Sequence, residues 1–417
     1  MIATESWRPD RHFAVAAAAV LIASAATAAP MFAGDLLERD GYLPVVDDTR
    51  VDELSASNAA RAFSDPHLET YRPLALVSYM IDGSLWSGSP RLCLAHNLLL
   101  YLGALALVLA LLRRLGFTDT AAALGALLFG LAPHHAVAVG WIAGRGEVLA
   151  LLLALGSWHV HLGTSRTAVR RALREGISAL LLAAALLSSP AALPVPAMIW
   201  ITDALLLGRR PLRSLAALAG QCALAAAAAA AAIWSWASQG AGAPAAASGL
   251  LGRIELIGWS LAHYLGTALW PFDLSVVYAR PGETELVAGG AAGLGATVIV
   301  AAVLLVAHRR GRQVGGWVAA SLWLLVALLP FLNLLPLEQL VADRRLLVPS
   351  LAVALVGALA GNTALRLERV DRRVMAGAGI LLIAAAWGMS RAEEFGASAD
   401  SETIWEQLEG ISRFSDG

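Results

Sequence analysis

Residues Phe129–Gly156 read FGLAPHHAVAVGWIAGRGEVLALLLALG, and their reading decides the fold. Both flanks are apolar, while the centre holds two adjacent histidines, a tryptophan, an arginine and a glutamate. Two oily segments joined by a short polar turn are what consecutive membrane helices look like, with the turn at one face of the bilayer.

The whole chain repeats that pattern. Of its 417 residues 58% are hydrophobic and only 15% charged, against roughly a quarter charged in soluble proteins, and the mean hydropathy is +0.67. Many apolar runs approach the ~20 residues that cross a bilayer. The sequence therefore predicts an all-α integral membrane protein. A net charge of −1 gives no basis for nucleic-acid binding. All basic residues are arginine, which reads as compositional bias. Cys93 and Cys222 lie in or beside apolar segments and require neither a disulfide nor a metal.

The first apolar run, residues 13–33, follows a head carrying Arg8 and Arg11; its end, SAATAAP, also resembles a signal-peptide cleavage site. It is read as a retained first helix. Residues 34–90 form a long acidic external loop, within which YRPLALVSYMIDGSLW (Tyr71–Trp86) has the mixed pattern of an interfacial helix. Residues 91–390 form the polytopic domain, with further spans near 92–112, 119–133, 147–163, 176–189, 191–208, 214–236, 286–307, 315–333, 346–361 and 374–390. Residues 391–417 form a short external tail.

The N-terminal pair and the arginine clusters at 113–114, 166–174, 209–213, 309–312 and 366–373 fall in alternate short loops and hold 18 of the 30 arginines. By the positive-inside rule this gives a cytoplasmic N-terminus, about eleven transmembrane helices and an external C-terminus in the inner (plasma) membrane. The segment 251–270 is apolar enough to span. The arginine parity holds only if it stays outside, as a re-entrant or interfacial helix.

Polar groups then collect at the outer mouth. Asp40, with Asp35 as its rival, is a candidate general base: a carboxylate bordering a low-dielectric surface can take a proton from a hydroxyl. Arg72, beside Tyr71, and the adjacent Arg344 and Arg345 offer guanidinium forks for a phosphate, with Asp343 next to them. Arg145 and Glu147 are expected to pair with each other at a span's mouth. His134 and His135 are consecutive, so on a helix they point about 100° apart, and His159 and His161 share no face. No histidine metal site is expected, and His135 is read as a hydrogen-bonding group in the external cavity.

Several of these stretches, in this order, resemble the GT-C superfamily of polytopic glycosyltransferases, closest to the transmembrane-and-TPR O-mannosyltransferase branch and its bacterial relatives. The likeness is carried by the acidic first loop, TYRPLALVSYMI, AHNLLLYLGALALVLALLRRLG and LLFGLAPHHAVAVGWIAGRGEVLA. It continues through LLSSPAALPVPAMIWITDALL, YLGTALWPFDLSVVY and ALLPFLNLLPLEQLVADRRLLVPS. The resemblance implies sugar transfer from a polyprenyl-phosphate donor to an acceptor on the external side, with an aspartate of the first loop as base and inversion at the anomeric carbon. The family's aspartate pair falls on Asp40 and Gly41, its YRP arginine on Arg72, its asparagine on Asn97. Its His-Pro-x-His-x-Glu falls on Ala132, Pro133, His135 and Val137, its Gly-Arg-x-Asp on Gly144, Arg145 and Glu147, and its acidic-Arg pair on Asp343 and Arg344.

The chain departs from the pattern at Gly41, Ala132 and Val137, has Ser188-Ser189-Pro190 where Ser-Lys-Glu is usual, and lacks the TPR array. A catalytically degenerate relative is thus one alternative, and a lipid or glycan transporter the other. No cofactor is required; a divalent cation stays open. The implied partners are a polyprenyl-phosphate-linked sugar, a glycan, lipid or protein acceptor, and membrane lipids.

Overall fold

The computed structural model describes residues 11–33, 51–64, 71–87, 89–164, 167–238, 249–272, 274–275, 278–310, 314–334, 339–368 and 370–397. Among them there are helices and no strands. The helices are α1 (Arg11–Thr27), α2 (Ala56–Ser64), α3 (Pro73–Trp86), α4 (Pro90–Arg114), α5 (Asp119–Gly130), α6 (His135–Val139), α7 (Arg145–His161) and α8 (Ala168–Ser188). They continue as α9 (Val195–Ile201), α10 (Pro211–Ala217), α11 (Ala219–Ser238), α12 (Gly249–Leu269), α13 (Glu283–Arg309), α14 (Gly315–Leu328), α15 (Leu351–Leu365) and α16 (Val370–Ala397).

Local chemistry sets these boundaries. Proline at the first position of α3, α4 and α10 has no amide to leave unpaired there. Thr118 caps α5 by accepting the Ala121 amide, with Asp119 in the first turn. Arg113 and Arg114 close α4, where cations suit the carbonyl end of the helix.

Packing then sets directions. α1 and α5 run side by side: the Arg113 guanidinium, close to the start of α5, stands 5.4 Å from the Phe13 ring at the start of α1. At their other ends Ser24 donates to the Gly130 carbonyl at 2.9 Å. α4 and α7 also run together, from Asn97 and Arg145 to Arg114 and the His159 carbonyl. α8 returns against α7, where Ser157 and Ser178 exchange hydroxyl-to-carbonyl bonds of 2.7 Å. Gly125, Gly357 and Gly361 bring α5 and α15 together so closely that a Cβ on Gly125 would collide with the Ala354 carbonyl. Trp158 and Trp323 meet edge-on at 4.9 Å in the core between α7 and α14.

The polar groups divide between the two ends of this bundle. One end carries Arg113 with Asp119 and a buried cluster in which His161 lies between Glu175 and Asp203, the latter also holding Arg209 and Ser214. The other end carries the groups of the next section.

Three helices are each long and apolar enough to cross a membrane alone: Pro90–Arg114, Glu283–Arg309 and Val370–Gly396. The bent pair Pro211–Ala217 and Ala219–Trp234, at 66°, makes a fourth if it counts as one span. Five further apolar helices have 10–17 residues, below the length of a straight crossing. Fewer straight spans than the expected eleven therefore stand in the described residues. The segment expected at 191–208 is made in succession of a 3₁₀ turn, Pro190–Ala192, then α9 and a π turn, Thr202–Leu206. The segment expected at 315–333 stops as a helix at Leu328 before Pro330. α13 exposes Val298, Ile299 and Val303 by 61–66%, an apolar surface suited to lipid.

The segment expected to be a re-entrant or interfacial helix forms one unbroken helix, α12, and it packs on α13 in the same direction. Glu255 and Gly258 meet Gly290, and Ala262 meets Gly293. This contact is backbone on backbone: a Cβ on Gly293 would fall into the Gly258 carbonyl and 2.7 Å from the Ala262 amide, whereas one on Gly295 meets nothing within 4 Å. Gly293→Val is expected to destabilise the protein by about 1–3 kcal/mol through overpacking, and Gly295→Val to leave it near the parent. Thermal unfolding followed by tryptophan emission checks this; equal midpoints for the two variants would refute the close packing.

Candidate binding site at the Arg145 end

α3 lies across the ends of α4 and α7 and is held by a buried charge network. Arg145, 0% exposed, ion-pairs with Asp82 of α3. Its Nε donates to Asn97 Oδ1 at 2.6 Å, Nη1 to the Ser78 carbonyl at 3.2 Å and Nη2 to the Cys93 carbonyl at 2.9 Å. Its guanidinium also covers the Tyr79 ring at 4.7 Å. Asp82 pairs in addition with His96 Nδ1 at 2.6 Å. Asn97 donates to the carbonyls of Val139 and Trp141, and Tyr79 to that of Ile142 at 2.9 Å. One guanidinium thus fastens α3, α4 and the α6–α7 turn together.

Beside this network Arg72, at the start of α3, pairs through Nη1 with Glu147 Oε1 at 3.1 Å. The expected pairing of Arg145 with Glu147 does not occur. The two residues lie two apart on α7, and a 3.6-residue helix turns such neighbours away from each other, so each takes a partner from α3. The Arg72–Glu147 contact uses one atom of each group; Glu147 Oε2 and Arg72 Nε are buried without a hydrogen-bond partner.

Arg344 comes to the same place from the 3₁₀ turn Asp343–Leu346. Its guanidinium stands 5.0 Å from the Trp141 ring centroid, and Nη2 donates to Gln339 Oε1 at 2.7 Å. Burial pushes its pKa down, and the nearby Glu147 opposes that shift while Arg345 and Arg72 add to it. Arg72 therefore pairs with Glu147, and Arg344 lies near enough to feel the charges of both, in a partly buried setting. The excess positive charge suits an anionic ligand.

The remaining expected site residues are placed differently. Arg345 donates to the carbonyls of Gln339 at 2.9 Å and Leu340 at 3.4 Å and to the Tyr264 hydroxyl at 3.4 Å, which ties the turn to α12. Asp343 is 1% exposed and accepts from Tyr278 at 2.6 Å, the Ser275 amide at 3.3 Å and His263 at 3.3 Å. His135 does not border an open cavity. It is fully buried, with Nδ1 on the Tyr101 hydroxyl and Nε2 on Ser350 Oγ, each at 2.7 Å. Ser350 already donates to the Leu347 carbonyl, so it accepts from Nε2–H, and the neutral ring's Nδ1 accepts from Tyr101. Tyr71 is half exposed and donates to the Phe63 carbonyl at 3.1 Å. Asp40 and Asp35 lie outside the described residues. Among the described residues no group of three or more His, Cys, Asp or Glu side chains is arranged to hold a metal.

The site residues that sequence reasoning missed are Asp82 and His96. Asp82 carried a signal: an aspartate in the apolar run SYMID, four residues before Trp86, has to find a cation or face water. His96, next to Asn97 at the head of a span, gave none.

The chain matches no protein-family model and no curated protein.

Proposed function

We propose that this protein is a GT-C-type membrane glycosyltransferase that moves a sugar from a polyprenyl-phosphate donor to an acceptor hydroxyl at the outer face of the inner membrane. The observation that carries the proposal is the meeting of Arg72, Glu147, Arg344 and Trp141 at one end of the helical bundle, from sequence positions far apart. Two guanidiniums against one carboxylate are matched to a phosphate that gains charge as its sugar leaves, and the Trp141 ring supplies a flat apolar wall. In the proposed reaction Asp40 takes the acceptor's hydroxyl proton while that oxygen attacks C1 of the sugar. The bond from C1 to the phosphate oxygen breaks, and the polyprenyl phosphate departs with the electron pair, held by Arg72 and Arg344.

The proposed topology keeps about eleven crossings, the shorter helices crossing together with the 3₁₀ and π turns that continue them. Two features support it. Helix directions alternate between the arginine-cluster loops and the Arg145 end. α12 and α13 run the same way, whereas consecutive complete crossings run opposite ways, which favours leaving α12 out of the count.

The test is transfer from a polyprenyl-phosphate sugar to envelope glycans or proteins, read by mass spectrometry. Asp40→Asn should reduce it by about 10²–10⁴-fold, the range of a general base, and leave thermal unfolding unchanged. Unaltered transfer in that variant removes the base from the scheme; absence of transfer by the parent chain removes the function.

A further inference from the structure

Asp343 is followed directly by two arginines, yet among the described residues it ion-pairs with neither. Its side chain is 0% exposed. Arg344 turns instead to Gln339 and the Trp141 ring, and Arg345 to Tyr264 and two carbonyls. Asp343 Oδ2 accepts from the Tyr278 hydroxyl at 2.6 Å and the Ser275 amide at 3.3 Å, both neutral donors. The basic group on this carboxylate is His263 of α12, whose Nε2 lies 3.3 Å from Oδ1.

A carboxylate cut off from water needs a counter-charge, and a buried ion pair that loses one member leaves the other uncompensated. As an imidazolium, His263 supplies that charge together with a hydrogen bond; as a neutral ring it supplies the hydrogen bond alone. The ring is held in place on three sides. Trp259 stacks on it at 6.1 Å, and Tyr264 and Tyr278 meet it edge-on at 5.4 and 4.5 Å. It keeps 14% of its side chain exposed, which leaves a way for a proton to come and go. The other titratable groups facing the pair are Tyr278, Tyr264 with Arg345 on its hydroxyl, and His134 of α6, which feels the charge of Asp343. α13, packed on α12, has no titratable residue between Glu285 and His308.

Asp343 opens the 3₁₀ turn Asp343–Leu346, so what holds Asp343 also sets where Arg344 stands. The same turn is tied to α12 a second time, by Arg345 on Tyr264, the residue next to His263. Building on the transfer function proposed above, we infer that His263 is a positioning residue: its ion pair with Asp343 fixes the turn that presents Arg344 to the donor phosphate. The consequence is a proton requirement at a residue that touches no substrate. As pH rises and the ring loses its proton, the buried carboxylate loses its counter-charge, the turn loosens and transfer falls.

The experiment measures kcat/KM for transfer from a polyprenyl-phosphate sugar across pH, using the full chain in detergent. The parent should show an alkaline limb, the acid limb belonging to Asp40. His263→Gln can still bond Asp343 but carries no charge. It should lower kcat/KM by about 10²-fold at pH values below the limb, what a misplacement of ~1 Å costs, and should lack the limb itself. His263→Arg supplies a permanent cation and should transfer at alkaline pH where the parent no longer does. A merely structural histidine would leave the shape of the profile unchanged in both variants. Transfer by the parent with the same alkaline limb in His263→Gln or His263→Arg overturns the role of His263 and leaves the function standing. Absence of transfer by the parent at every pH removes the function and this role with it. Should His263→Gln fail to fold, the comparison of the parent with His263→Arg decides.

Discussion

Arg145→Met is expected to destabilise the folded chain by about 3–5 kcal/mol, the usual effect of removing one partner of a buried ion pair. The side chain is 0% exposed and Asp82 is 2% exposed, so the carboxylate is left buried with His96 as its one remaining side-chain partner. Asn97 Oδ1 and the carbonyls of Ser78 and Cys93 lose their donor in the same step. Unfolding of detergent-purified protein, by denaturant or heat, reads the loss directly. The double variant Arg145→Met/Asp82→Leu should recover most of it, because apolar side chains of similar volume often replace a buried pair without penalty. Asp82→Asn should fall between, since the amide still accepts hydrogen bonds. If Arg145→Met unfolds within about 1 kcal/mol of the parent, the α3 anchor is elsewhere.

That network also shows what the sequence does and does not disclose. Apolar segments and their ends are written locally: α4, α5, α7 and α13 begin and end within a few residues of the expected spans, because proline, Thr118 and the arginine pairs act on adjacent backbone. Breaks inside apolar runs are harder to see. Pro330 is visible as a letter, yet whether a proline bends a helix or ends it depends on what packs beside it. The 66° bend between α10 and α11 falls at Leu218-Ala219, with no proline to announce it.

Pairing is less legible still. Arg145 and Glu147 sit two residues apart, and the helical period alone excludes their pairing, so this much could have been read from the sequence. Their true partners, Asp82 and Arg72, lie 63 and 75 residues away in the sequence, and no local pattern chooses them. Burial is hidden differently. In GMSRAEEF Arg391 reads as the first charge past the last apolar run, and only the continuation of α16 to Ala397 makes it interior.

The adjacent arginines of the Asp343–Leu346 turn supply the sharpest separation of structure from chemistry. Arg344→Ala should lower transfer, as kcat/KM, by about 10²–10³-fold, the effect of deleting one prealigned donor to developing charge. It should hardly change stability, because its partners are a glutamine side chain and a ring face, both able to hydrate or repack. Arg344→Lys should keep part of the activity, holding the charge but losing the planar fork. Arg345→Ala should behave in the opposite way. It leaves the Gln339 carbonyl without a donor and frees the turn from Tyr264, while the Leu340 carbonyl keeps its bond from Asn333, at about 1–3 kcal/mol for the unmet buried group, and the folded fraction transfers within a few-fold of the parent. Steady-state kinetics normalised to folded protein, together with unfolding midpoints, distinguish the two. Equal loss of transfer from both variants, or an Arg344→Ala protein as unstable as Arg345→Ala, would assign both arginines to the scaffold and leave the donor phosphate to be held by Arg72 alone.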